Sequence, residues 1–115
     1  MSHDPNCLFC KLVDGRIPSR KLYEDDEMIA FHDIAPWAPV HFLVAPKRHI
    51  VSMAEVVAAD APLLGRMMAL IPRLMLECGV TNGFRIIANA GKDGMQEVPH
   101  LHLHAIGGPR PWAKG

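Results

Sequence analysis

Val98-Pro99-His100-Leu101-His102-Leu103-His104-Ala105-Ile106-Gly107-Gly108 is the stretch on which the fold turns. Three histidines alternate with apolar residues, and a strand's period of two predicts all three imidazoles on one face with the leucines in a core. Same-face neighbours lie roughly 6.6 Å apart, so His100 and His104 are predicted to be about 13 Å apart along the strand. A single metal ion can be reached by two neighbours but hardly by all three. The spacing therefore demands a division of labour among the histidines.

Outward from this strand, Asn82-Gly83 reads as a turn and Phe84 to Asn89 as another strand. The polar loop Ala90 to Glu97 joins that strand to the histidines. Its Gly91 and Gly94 would let backbone approach a phosphate closely, although a plain hairpin connection explains them equally well. Upstream, the longest periodic segment predicts a helix from about Ala61 to Cys78. Asp60 is its expected N-cap, Pro62 sits in its tolerant first turn and Gly79 stops it. Leu63, Leu64, Met67, Met68, Ile71, Leu74, Met75 and Cys78 form its expected buried stripe, read as core rather than as a cofactor box. Pro72 predicts a kink within it.

The remaining elements are shorter. Cys7 to Val13 reads as a helical turn ending near Asp14-Gly15, with Pro18 barring a longer helix. Arg20 to Glu24 and Met28 to Asp33 read as a hairpin around Asp25-Asp26. Ala35-Pro36-Trp37-Ala38-Pro39 is a proline-punctuated loop, and His41 to Ala45 is a strand whose two-sided apolar character predicts a central place. Helical sequence is expected around Ser52 to Ala59, and the tail from Pro109 is too rich in proline for regular structure. The sum is an α+β domain around an antiparallel sheet.

With 115 residues the chain is expected to be one domain, spanning 1–115, with a core at about 7–108 and a tail at 109–115. Half of it is apolar and 21% charged, which excludes a disordered chain. The formal net charge is zero, so no broad basic footprint recruits nucleic acid. No apolar run approaches the roughly 20 residues of a membrane span, and no signal peptide is legible, so a cytoplasmic protein is expected. Three cysteines without a secretion signal speak against a disulfide framework. Cys78 reads as packing, while Cys7 and Cys10 form a C-x-x-C pair, either a redox dithiol or half of a zinc site. Two further ligands would complete a tetrahedron, from His49 and one end of the triplet.

Six of the seven histidines, His32, His41, His49 and the triplet, fall in segments expected to be structured, which favours a site. An imidazole of near-neutral pKa can serve as nucleophile or general base. A middle histidine flanked by two others can be oriented by one and assisted by the other.

His100-Leu101-His102-Leu103-His104-Ala105-Ile106 resembles the signature of the histidine-triad (HIT) superfamily. Arg16-Ile17-Pro18, Tyr23-Glu24-Asp25-Asp26, Ala30 to Ile34, Ala38 to Val44, Pro46 to Ile50 and Gln96-Glu97-Val98 look like its Hint branch of nucleotide-binding proteins. The similarity runs from about Cys7 to Trp112. It implies a five-stranded antiparallel sheet with one long helix and one or two short ones, and a homodimer with a continuous ten-stranded sheet. It further implies binding of purine nucleoside monophosphates and cleavage between the α-phosphate and a leaving group.

On the matching positions, His102 would be the nucleophile, forming a nucleotidyl-imidazole. His104 and His41 would contact the phosphate or assist proton transfer, joined by Asn89 and Gln96. Asp33 matches the ribose-binding carboxylate, and Leu8, Phe9, Leu12, Phe31, His32 and Ile34 match the walls of the nucleoside pocket. Some relatives hold a structural zinc at positions that correspond here to Cys7, Cys10, His49 and His100. Two residues depart from the pattern. Glu97 stands where many eukaryotic relatives have serine, and Met95 where a small glycine is frequent, which puts leaving-group preference in question.

The leading expectation is thus a hydrolase of nucleoside phosphoramidates or acyl adenylates that releases AMP. A dinucleoside polyphosphate hydrolase or nucleotidyl transferase of the same superfamily is the nearest competitor. Two other classes are a nucleotide-binding regulatory module with little turnover and a hydrolase with a water-activating metal on two of the triad histidines.

Overall fold

The computed structural model describes residues 7–13 and 20–115. The segments Arg16-Ile17-Pro18 and Asp14-Gly15 lie outside the described residues, as do the side chains of Leu8 and Val13. In chain order the elements are α1 (Leu8–Val13), β1 (Lys21–Glu24), β2 (Met28–His32), β3 (Val40–Pro46), two 3-10 turns (Met53–Glu55 and Ala58–Asp60), α2 (Ala61–Glu77), β4 (Phe84–Ile87) and β5 (Leu103–Gly107). The five strands form one antiparallel sheet in the order β1-β2-β3-β5-β4, with β3 in the middle as its apolar run predicted.

Alternation along the strands sorts the side chains into two cores. Met28 and Ala30 of β2, Phe42 and Val44 of β3, and Leu103 and Ala105 of β5 face α2, where they meet Met67, Leu70, Ile71, Leu74 and Met75. Ile29, Phe31, Leu43 and Ala45 point the opposite way and pack against Cys7, Phe9 and Cys10 at α1. Both layers are needed because β2 and β3 are apolar on both sides. The β1–β2 turn is tied by Asp25, whose Oδ1 accepts from the N–H groups of Glu27 and Met28 at 2.8 and 2.9 Å.

Helix α2 differs from expectation in two respects. Met68 lies outside the buried stripe and is 45% exposed, whereas Leu70, absent from the predicted stripe, is in the core. The Asp60 side chain does not cap α2; it accepts from Val57 N–H at 3.0 Å and pairs with Arg48, because the preceding 3-10 turn presents its own donor first. Pro72 lies inside the helix, at an exposed position. Its end matches the glycine stop: Gly79 has φ +84°, Gly79 N–H reaches Leu76 C=O and Val80 N–H reaches Met75 C=O.

The histidine strand is shorter than predicted. β5 begins at Leu103, and Val98 to His100 form a bend in which His100 N–H bonds back to Val98 C=O at 2.8 Å. Pro99 has no N–H to continue a ladder, so the chain turns there and Leu101 N–H is taken by Ile50 C=O. This bend sends His100 away from the other two imidazoles. No helix among the described residues is long and apolar enough to cross a membrane.

Candidate active site and metal centre

A cleft of about 540 Å³ opens beside α1, β2, β5 and the chain's last residues. Of the predicted site residues, Phe9, Leu12, Phe31, His32, Asp33 and Ile34 line one part of it, and Asn89, His102 and His104 another. Phe9 stands edge-on to Phe31 and to His102, with ring centroids 5.5 and 4.8 Å apart. Asp33 is fixed by Ala35 N–H, which donates to its Oδ1 at 2.7 Å.

The remaining predicted residues stand elsewhere. His41 is buried behind His104 rather than in the lining, on the neighbouring strand. The Gln96 amide holds its own loop: Nε2 donates to the carbonyls of Val51 and Val98, and Oε1 accepts from Gly91 N–H. Neither Gly91 nor Gly94 lines the cleft. A Cβ on Gly94 would run into the carbonyl oxygen of Ala90, so that glycine permits the loop to fold on itself. Met95, which does line the cleft, has φ +62°, a left-handed conformation that costs a side-chain-bearing residue about 1 kcal/mol or more.

The proton positions in the triad follow from hydrogen-bond partners. Trp37 N–H donates to His41 Nδ1 at 3.0 Å, so that nitrogen is unprotonated in the neutral ring and Nε2 carries the hydrogen. His41 Nε2–H then donates to His104 Nδ1 at 3.0 Å, leaving the hydrogen of His104 on its Nε2. His102 is set separately: its Nδ1–H donates to the His100 carbonyl at 2.7 Å, so Nε2 carries a lone pair. An acceptor nitrogen on His102 and a donor nitrogen on His104 thus stand in rings 4.9 Å apart.

The neutral forms are favoured by the surroundings. Burial, then repulsion from His102 and His41, brings the His104 pKa down to about 4. Burial likewise lowers His41 and His102, the latter partly offset by the His100 carbonyl and by Asp33 and Glu97.

Five lining residues were missed from the sequence: Trp37, Leu43, Val98, Lys114 and Gly115. Trp37 stacks on His104 with centroids 4.4 Å apart and planes at 19°, and it lines the cleft. Its only signal was a bulky aromatic in a proline-rich loop. Lys114 and Gly115 line the cleft too, because the tail folds back: Ala113 and Lys114 N–H both bond to Trp37 C=O, and Arg85 bonds to Gly115 C=O. Proline-rich sequence carries no sign of such a return.

A second constellation lies on the other side of His102. Cys7, Cys10, His49 and His100 bring one potential ligand atom each to within 4.8 Å of one another. His100 Nδ1 is 3.3 Å from Cys7 Sγ, 3.6 Å from Cys10 Sγ and 3.2 Å from His49 Nδ1, while Cys10 Sγ is 3.4 Å from His49 Nδ1. A tetrahedral zinc with its usual bond lengths separates such ligand atoms by roughly 3.3–3.8 Å, so the four donors fit a metal of that size. His100 Nε2–H donates to Pro46 C=O at 2.8 Å, which aims the Nδ1 lone pair at the thiols.

A five-stranded antiparallel sheet in which His100-Leu101-His102-Leu103-His104 runs into β5, with His41 of β3 hydrogen-bonded to His104, has the make-up of a histidine-triad protein. Comparison with known proteins agrees. The HIT domain model matches residues 14–110. Protein HitA of Neisseria gonorrhoeae is 47% identical over 104 residues, which is 90% of this chain and 97% of HitA. A histidine triad protein from Clostridium difficile superposes with a TM-score of 0.90 at 41% identity, covering 95% and 96% of the two chains. A HIT family hydrolase from Legionella pneumophila does so at 0.88 and 40%, covering 91% and 95%. The chain belongs to the HIT domain family.

Proposed function

We propose that this protein is a purine nucleotide-binding hydrolase that cleaves the bond between the α-phosphate of a nucleoside monophosphate and a phosphoramidate or acyl leaving group. The observation that carries the reading is that His102 lines the cleft with its Nδ1–H held by a backbone carbonyl, which leaves the lone pair on Nε2. Beside it, the N–H of His104 is backed by His41, a donor suited to a phosphoryl oxygen.

In the first step His102 Nε2 forms a bond to the phosphorus as the bond to the leaving nitrogen or oxygen breaks. The leaving group departs with that electron pair and takes up a proton. In the second step a water oxygen bonds to phosphorus, the P–Nε2 bond breaks and its electron pair returns to His102. AMP and a proton are released. The Asp33 carboxylate suits a ribose diol, Phe9, Leu12, Phe31 and Ile34 suit a flat purine, and Asn89 suits a phosphoryl oxygen.

Cys7, Cys10, His49 and His100 would hold a zinc ion. Four protein ligands leave no position for water, so the ion would fasten α1 to the segment before β5 and supply no catalytic step. Homodimerisation fits the exposed edge of β4, where Phe84 is 38% exposed, and Leu76 and Met68 on the outer face of α2 at 66% and 45%. A cytoplasmic location suits three cysteines that form no disulfide.

The reading is tested with a fluorogenic adenosine 5′-phosphoramidate. His102→Ala should lose turnover by ~10³-fold or more while AMP binding, measured calorimetrically, persists. Undiminished turnover in that variant would overturn the mechanism. Turnover of diadenosine polyphosphates in preference to the phosphoramidate would overturn the substrate class.

A further inference from the structure

The cleft described above contains a charge imbalance that the triad does not resolve. Two carboxylates, Asp33 and Glu97, line it, and a nucleoside monophosphate would add up to two further negative charges. Burial keeps His41 and His104 in their neutral forms, so they offer dipoles but no net charge. Among the described residues lining the cleft, Lys114 is the one with a fixed positive charge.

Its position is built rather than incidental. The backbone around it is held by two N–H groups, those of Ala113 and Lys114 itself, bonded to Trp37 C=O at 2.7 and 3.3 Å. The next residue, Gly115, accepts from Arg85 at 2.7 Å. Trp112 is fixed by its Nε1–H to Gly108 C=O at 3.0 Å. The Lys114 ammonium lies 5.0 Å from the centre of the Trp37 ring, the ring that stacks on His104. A flexible four-carbon stem lets the ammonium swing from over the Trp37 ring to an oxygen beside His104.

We propose that Lys114 is a specificity-determining residue that binds the phosphoryl group of the nucleotide and neutralises its charge beside His104. The proposal rests on the nucleotide-hydrolase reading of the cleft. It makes Trp37 a platform that holds the cation near the phosphate while the site is empty.

The test compares AMP with adenosine, which shares base and ribose and lacks the phosphate, by calorimetry on the full chain. Lys114→Met should weaken AMP by roughly tenfold, the scale of one hydrogen bond to a charged group, and leave adenosine within about twofold. Lys114→Arg, which keeps the charge, should restore most of the AMP affinity. Added salt should weaken AMP binding more in the wild type than in Lys114→Met.

Equal losses for AMP and adenosine would reduce Lys114 to a packing role and overturn the proposal, as would a methionine variant that binds AMP normally. A wild-type protein that binds adenosine and AMP alike would overturn it too, leaving the nucleoside pocket intact. A wild-type protein that binds neither would overturn the nucleotide reading and this proposal with it.

Discussion

His100 and His102 are two residues apart, both buried, and do opposite work. His100 donates Nε2–H to the Pro46 carbonyl and turns its Nδ1 toward two thiols and His49. His102 donates Nδ1–H to the carbonyl of His100 itself and keeps its Nε2 lone pair for the cleft. The same side chain presents a different nitrogen to its surroundings according to which one a backbone carbonyl occupies, and on the proposed reading this separates a metal ligand from a nucleophile. The two sites also share a backbone, since the acceptor that orients His102 belongs to His100, and they share Phe9, whose ring stands edge-on to both imidazoles.

The sharpest way to break this comparison is to remove each imidazole in turn. His102→Ala should abolish turnover and retain bound metal, read by elemental analysis. His100→Ala should do the reverse: the metal is lost, but the carbonyl that orients His102 remains, so turnover persists under conditions where the protein stays folded. Loss of a metal present at 100–1,000 times its Kd removes roughly 3–4 kcal/mol of stability, visible as a lower denaturation midpoint. Metal retained in full by His100→Ala would remove that residue from the ligand set.

Acid should separate the two sites next. In the folded state the pKa of His104 lies at about 4, below its ordinary value near 6.5. As pH falls through that window the unfolded chain takes up a proton that the folded chain refuses, so stability drops and levels off below about 4. Acid also protonates metal ligands, so the contribution of His104 is the difference between the wild type and His104→Asn. The urea midpoint of the variant should depend less on pH across that window; identical curves would dissociate His104 from the effect.

A smaller effect tests the shared segment. Helix α1 carries Phe9 and Leu12 into the cleft, and Cys10 within it belongs to the Cys/His cluster that could hold a metal. Chelation should therefore weaken AMP binding severalfold, and AMP should raise metal affinity by the same factor, as linkage requires. Independent affinities would show that α1 keeps its place without metal. The smallest effect is expected at Met95→Gly. Relief of the left-handed strain should offset the added flexibility to within about 1 kcal/mol, read from denaturation midpoints.

Much of this was legible beforehand because it rests on local pattern. The two-sided apolar run His41 to Ala45 predicted the central strand, and Gly79 predicted where α2 stops. Other readings failed where a neighbour competed. Asp60 has the chemistry of a cap, but Val57 and Arg48 reach it first. Alternation put His100 on a strand with His102 and His104, whereas Pro99 ends the ladder and Ile50 takes the next N–H. The partners of the Gln96 amide, which are Val51, Val98 and Gly91, had no signature in the sequence.

The sequence by itself determined the α+β sheet, because periodicity is carried along the chain, and its motifs carried the resemblance to the histidine-triad family that the comparisons bear out. Only the tertiary structure decided which nitrogen of each imidazole bears the proton, that His41 backs His104, and that Trp37 and Lys114 complete the cleft. Those outcomes depend on carbonyls and N–H groups distant in sequence, which have no side-chain signature and gain a direction only when the chain has folded.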